Sequence, residues 1–226
     1  MAGREAALHG RLLHFWQANL TTSVYTDGFN LYYGALRNTP HRWLNLEILC
    51  QLLLPKNVIG EIKCFTALVS ARPNDPDQPL RQQLYLRALG TLPKDSVQLG
   101  HFLTHTVTMP LVGLPGQPQQ FAKVIKTEEK GSDVNLATQL LHDAHMGRFD
   151  VAVVISNDSD LLEPIKIVRQ ELRKQVGILN PHPNPSRALL SHIDFIKQIR
   201  PGVLRAAQFP TTLTDKHGTF TKPAAW

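Results

Sequence analysis

Five consecutive apolar residues, Val151 to Ile155, four of them β-branched, run directly into the polar turn Ser156-Asn-Asp-Ser-Asp160. An apolar run of this length implies a strand covered on both faces, as in a parallel sheet. The helical spacing of Leu161, Leu162, Ile165, Val168 and Leu172 follows at once, so the turn joins a strand to a helix. In open α/β sheets such turns lie at the carboxyl edge, where ligands bind. Asp158 and Asp160 therefore stand where the acids of a site stand.

The rest of the chain supplies the layers that such a strand needs. Met1 to Leu20 carries Leu8, Leu12, Leu13, Phe15 and Trp16, which fits a short amphipathic helix or a frayed extension. Ser23 to Thr26 reads as a short strand, and Gly28 permits a tight turn into a helical segment. Asp27 thus ends a strand as Asp158 does, and Asn30 projects from the first helical turn toward the same edge. Apolar spacing predicts a helix from Leu44 to Leu53, stopped at Pro55, then a strand over Ile59–Val69 and a helix over Leu80–Leu89. Val97–Val107 and Ala122–Lys126 alternate as strands, and the loop between them predicts a hairpin or flap beside the carboxyl edge. Ser132–Gly147 reads as a helix with Ser132 as N-cap and Gly147 closing it. Its expected buried stripe is Val134, Ala137, Leu140, Leu141 and Ala144. Gln175–Leu179 is a further short strand, and Ala188–His192 and Asp194–Arg200 complete the unit. Beyond Pro201 the chain reads as polar and loop-like, with Phe209, Phe220 and Trp226 as pins. Strands alternating with helices predict βαβ units around a mainly parallel sheet. The expected divisions are an extension over 1–20, one domain over 21–200 and a tail over 201–226.

Acids at predicted strand ends or helix starts recur at Asp27, Asp133, Asp158 and Asp160. Carboxylates that converge repel one another unless a cation neutralises them. Oxygen ligands without organised Cys or His favour Mg²⁺ or Mn²⁺ over zinc. Lys and Arg number 24 against 18 Asp and Glu, a net charge of +6, which suits an anionic substrate. Cys50 and Cys64 are the only cysteines; they make no zinc spacing and fit a reduced, cytoplasmic setting. No apolar run approaches the ~20 residues of a membrane span, and the first residues do not resemble a signal peptide.

Asp27-Gly-Phe-Asn30, Lys130-Gly-Ser-Asp-Val134 and Ser156-Asn-Asp-Ser-Asp160 resemble the three signature blocks of the NYN domain family, within the PIN-like nuclease superfamily. The order is the family's, and the resemblance covers about Thr22 to Arg200. The opening Asp-Gly-x-Asn-Leu-Tyr is most similar to the LabA-like branch. The resemblance implies a Rossmann-like (PIN-like) three-layer α/β/α fold and a metal-dependent ribonuclease acting on RNA, single strands foremost. It gives Asp27, Asp133, Asp158 and Asp160 the catalytic, metal-binding role with Mg²⁺ or Mn²⁺. Asn30, Lys130, Ser156 and Asn157 take the substrate side of the site. Asn157 stands where the family has glycine, and Leu161 where it has Phe. Two alternatives accompany this reading: a nucleic-acid-binding module with little turnover, or a small-molecule enzyme such as a pyridine hydroxylase on the same fold.

Local explanations exist for the same residues. An Asx-turn accounts for Asp27, a helix-start acid for Asp133, a cap for Asp160, and a local hydrogen bond for Asn30. Glu128 and Glu129 read as solvated, as do His142 and His145 beside Asp143 on a helix flank. Tyr32, Tyr33 and Trp43 fit either base stacking or packing. Arg72, Arg81, Lys123, Lys126 and Arg187 are cations in or near loops that flank the acids. Homo-oligomerisation is left open, with the 110–118 loop and the tail as candidate contacts.

Overall fold

The computed structural model describes residues 20–113 and 116–226, so the helix expected before Leu20 lies outside the described residues. The apolar run forms strand β5 (Val151–Ile155), every residue of it buried. It pairs in parallel with β1 (Thr21–Asp27) on one side and β6 (Gln175–Asn180) on the other. Beyond β1 lie β2 (Val58–Ala67), β3 (Asp95–Pro110) and β4 (Phe121–Lys130); beyond β6 lies β7 (Phe195–Gln198). The order is β4-β3-β2-β1-β5-β6-β7, and only the edge pair β3–β4 is antiparallel. Strand order reverses between β1 and β5, the switch point of a doubly wound sheet.

Side chains alternate across the strands and bury both faces. Val24, Ile62 and Val153 face one cluster with α2 (Leu46–Leu53) and α3 (Gln78–Leu89). Tyr25, Phe65 and Val154 face the other, with α4 (Ser132–His145) and α5 (Leu162–Lys166). The expected three-layer Rossmann-like architecture is the one observed. Between β1 and α2, α1 (Gly28–Leu31) runs on into a wider turn over Tyr32–Leu36. Past Gly100, β3 leaves β2 and pairs only with β4, so the predicted hairpin stands as a ribbon at the carboxyl edge.

Two expectations for α4 are corrected. Gly131, at φ +98°, occupies the N-cap, and Ser132 lies inside the helix, its N–H donated to the Glu129 carboxylate at 3.0 Å. Glu129 thus closes the helix end rather than standing free in solvent. Of the expected stripe, Leu140 and Ala144 are buried and Ala137 and Leu141 pack against the core, but Val134 is 67% exposed, and Leu136 and Asp143 are buried instead. Asp143 turns the helix inward because it accepts bonds from Tyr25, Gln139 and Arg148, each at 2.8 Å, and from Lys63. Burial opposes its ionisation, but these donors outweigh it and hold its pKa below the ordinary range.

The segment beyond Pro201 is not loop-like. It folds as α7 (Pro201–Ala206) and a hairpin of β8 (Thr212–Asp215) and β9 (Gly218–Thr221); α6 (Arg187–Leu190) precedes β7. Among the described residues no helix is long and apolar enough to cross a membrane.

Candidate active site

β1 ends at Asp27, which is only 5% exposed. Its Oδ1 accepts the Asn30 N–H at 2.9 Å and its Oδ2 accepts the Ser156 hydroxyl at 3.0 Å. The same carboxylate therefore caps α1 and joins the β5 turn. Gly28 follows because a Cβ there would stand 2.9 Å from the Phe65 carbonyl oxygen. The side chain of Asn30 reaches back across the switch point, its Oδ1 accepting the Asn157 N–H at 3.0 Å.

From the other side, the buried Ser156 oxygen also accepts the Asp158 N–H at 3.1 Å. Asp158 Oδ1 accepts the Asp160 N–H at 3.0 Å, capping the short turn Ser159–Leu161. Asn157 stays out of the left-handed region, so the loss of the family's glycine costs no backbone strain. Its side chain donates to the Asn184 carbonyl at 3.0 Å and accepts the Ser186 N–H at 2.6 Å. Asn157 is thus a tie to the proline-rich loop before α6.

Asp133 sits exposed in the first turn of α4, facing this turn pair. Desolvation, then Asp27, Asp158, Glu129 and Asp160 in that order, push its pKa up to about 6. Burial likewise raises the pKa of Asp27 against its bonds from Asn30 and Ser156, with Asp158 adding to the rise. Four predicted acids and Glu129 therefore share one negative field at the carboxyl edge. Among the described residues, however, no three His, Cys, Asp or Glu side chains stand close enough to hold a metal ion together. The acids share a charge field without forming a closed coordination shell. Such a donor set fits Mg²⁺, which retains several waters and takes one or two carboxylates plus substrate phosphates.

The remaining candidates separate. Lys130 is exposed, 3.6 Å from Glu128 and outside the carboxylate group. Lys126 pairs with Glu128 and Arg81 with Asp75. His142 and His145 stay on the exposed flank of α4, but Asp143 between them is buried. Trp43 is fully buried and offers no stacking face, whereas Tyr33 is 48% exposed. The capping role of Glu129 was missed in the sequence; the run Glu129-Lys-Gly-Ser132 ahead of a helical stripe was its only signal.

The family model of the NYN domain matches residues 21–199. A 6-hydroxy-3-succinoylpyridine 3-monooxygenase of Pseudomonas putida is 30% identical over 239 residues, covering 92% of this chain and 75% of the relative. The crystal structure of a Vibrio parahaemolyticus protein of unknown function aligns with a TM-score of 0.53 at 17% identity. That match covers 81% of this chain and 94% of the other, and it is a likeness of fold.

Proposed function

The chain belongs to the NYN domain family, and from that premise we propose that it is a metal-dependent ribonuclease working at the switch-point carboxylates. The family brings a nuclease-type fold; the PIN-like superfamily and its LabA-like branch are the placement we favour, on the opening Asp27-Gly-Phe-Asn-Leu-Tyr32. The observation that carries the reading is the uncompensated field of Asp27, Asp133, Asp158 and Asp160 at the one edge where two strand ends diverge. A chain of net charge +6 with such a pocket suits a polyanion bridged to carboxylates by a cation.

Asp27 and Asp158 are the residues that would hold Mg²⁺ or Mn²⁺, each keeping one carboxylate oxygen oriented by a backbone N–H. Such an ion, when bound, activates water and neutralises charge on the phosphoryl oxygens. Asp133, with its pKa near 6, accepts the proton of the attacking water near neutral pH. The water oxygen bonds to phosphorus, the bond from phosphorus to the leaving oxygen breaks, and that oxygen takes a proton from solvent. Asn30 and Ser156 hold Asp27 still, and Asp160 adds negative charge at the rim. Lys130, the last residue of β4, is the phosphate contact nearest in sequence to Asp133.

The test is cleavage of labelled single-stranded RNA with Mn²⁺ or Mg²⁺. Asp27→Asn and Asp158→Asn each lower the rate by about 10²-fold or more, and EDTA abolishes it. Cleavage that survives both substitutions and EDTA sinks the site. A second reading is supported by the relative named as a pyridine 3-monooxygenase: hydroxylation of a hydroxypyridine with O₂ and an electron donor. Oxygen uptake with such a substrate and NADH, in the absence of RNA cleavage, selects it.

A further inference from the structure

Behind α1, on the α2–α3 side of the sheet, lies a cavity of about 130 Å³ whose wall includes Gly28 and Phe29, the two residues after Asp27. Tyr32, Tyr33, Tyr85, Trp226, Leu46 and Leu86 form the aromatic and apolar part of its wall. A cavity of roughly 150 Å³ lined by apolar side chains holds one benzene ring, so this one is sized for a single six-membered ring. The aromatic wall is fixed: Tyr85 and Trp226 meet edge to face at 5.9 Å, and Tyr32 and Tyr33 at 5.3 Å. Gln82 has both ends of its amide engaged, accepting from the Val69 N–H and donating to the Ala67 carbonyl. Gln78 differs. Its Oε1 is buried and shut off from the space, so the end of the amide left to meet a ligand is the N–H₂, a donor for a ring nitrogen or carbonyl.

The cavity opens into a second recess, of about 240 Å³, which shares Tyr32, Tyr33, Arg42, Asp75 and Gln78 with it. Arg37 and Arg72 line that recess with Arg42. Among the described residues none of these three arginines pairs with a carboxylate within 4 Å. Asp75, the acid of the recess, is taken by Arg81. Arg42 donates Nε to Thr39 and one terminal nitrogen to the Ala225 carbonyl, which leaves the other free. Arg37 lies 5.4 Å over the Tyr33 ring.

We propose that this paired recess binds a planar, single-ring nitrogen heterocycle that carries an anionic group. The ring fills the aromatic cavity with its polar edge on Gln78, and the anion sits among Arg37, Arg42 and Arg72. A pyrimidine nucleotide and a pyridine carboxylate both have this chemistry. The site adjoins the switch-point carboxylates through Gly28 and Phe29 but has none of Asp27, Asp133, Asp158 or Asp160 in its wall.

Titration of the full-length protein by calorimetry separates the two sources. The probes are uridine 5′-monophosphate and nicotinate, with uridine, nicotinamide and adenosine 5′-monophosphate as comparisons. One of the first two binds saturably with one-to-one stoichiometry: the nucleotide if the source is nucleic acid, nicotinate if it is an aromatic acid. Its neutral counterpart binds about tenfold or more weakly, the weight of a charge-assisted bond; the two-ring adenine nucleotide is excluded by size. Arg37→Gln and Arg72→Gln, both exposed and outside the wall of the ring cavity, weaken the anionic ligand by about tenfold and leave the neutral one unchanged. Gln78→Leu weakens both. Asp158→Asn retains this binding, so RNA cleavage and ring binding fail independently. Absence of saturable binding by either probe up to about 10 mM, or binding that both arginine variants keep in full, overturns the site.

Discussion

Asp95 begins β3 with both carboxylate oxygens buried and without a partner. Burial, and after it the charge of Glu47, pushes its pKa up to about 8. The folded chain therefore holds a proton on Asp95 to about pH 8, whereas the unfolded chain releases it near pH 4. Between those values the native state binds more protons, so stability is greatest at the acid end and falls as pH climbs through the window. Asp95→Asn removes that slope: its unfolding free energy exceeds the parent's by ~1–3 kcal/mol at pH 8 and converges with it at pH 4. Urea unfolding at the two pH values decides the matter, and an equal difference at both refutes the assignment. Asp27 and Asp158 were legible in the sequence because turn-forming carboxylates and site carboxylates occupy the same strand ends, and here each does both jobs. Asp95 was not legible, since nothing local marks a carboxyl whose neighbours include Glu47 and Cys50 of α2, elements away in the chain.

The turn from β1 into α1 is the element on which the site depends most closely. A methyl group at Gly28 would meet the Phe65 carbonyl oxygen at 2.9 Å and the Thr66 Cβ at 3.1 Å. Neither neighbour is a flexible tip, so the backbone of α1 must move and carry Asp27 and Asn30 with it. Gly28→Ala is therefore expected to destabilise the fold by ~1–3 kcal/mol and to lower RNA cleavage further than that loss of folded protein explains. Thermal melts and assays on the same preparation measure both; an unchanged rate per folded molecule contradicts the coupling. Elements of this kind were readable because a strand run, a glycine and a cap are neighbours in sequence. The facing of α4 was not. Its apolar positions pointed to Val134, but the bonds from Lys63, Tyr25 and Arg148 to Asp143 roll the helix so that Leu136 packs and Val134 does not.

At the scale of the molecule, the segment after Pro201 covers the α2–α3 face. Trp43 is fully buried where the segment closes over it, its ring 5.8 Å from Phe209, 6.4 Å from Phe220 and 6.2 Å from Trp226. Arg87 of α3 grips Asp215 through two bonds at 2.7 and 2.8 Å and lies 4.1 Å over the Phe220 ring. That grip holds the Asp215 carboxyl far below the usual range. The three pins were visible in the sequence as isolated aromatics. Their common target was invisible, because Trp43 and Tyr85 meet them only after the sheet has formed, and the ring cavity was hidden for the same reason. Truncation after Pro210 removes Phe220, Trp226 and the ion pair but keeps the Trp43 bond to the Pro210 carbonyl. It should cost at least as much as deleting one buried aromatic, ~3–5 kcal/mol, and shift Trp43 emission to the red as water reaches the ring. Among the described residues the switch-point carboxylates make no hydrogen bond to the segment after Pro210, so RNA cleavage at low temperature persists while ring binding is lost with the Trp226 wall. An unfolding midpoint unchanged by the truncation would make the hairpin a passenger, and loss of cleavage in a fully folded truncated chain would show that the two sites are not independent.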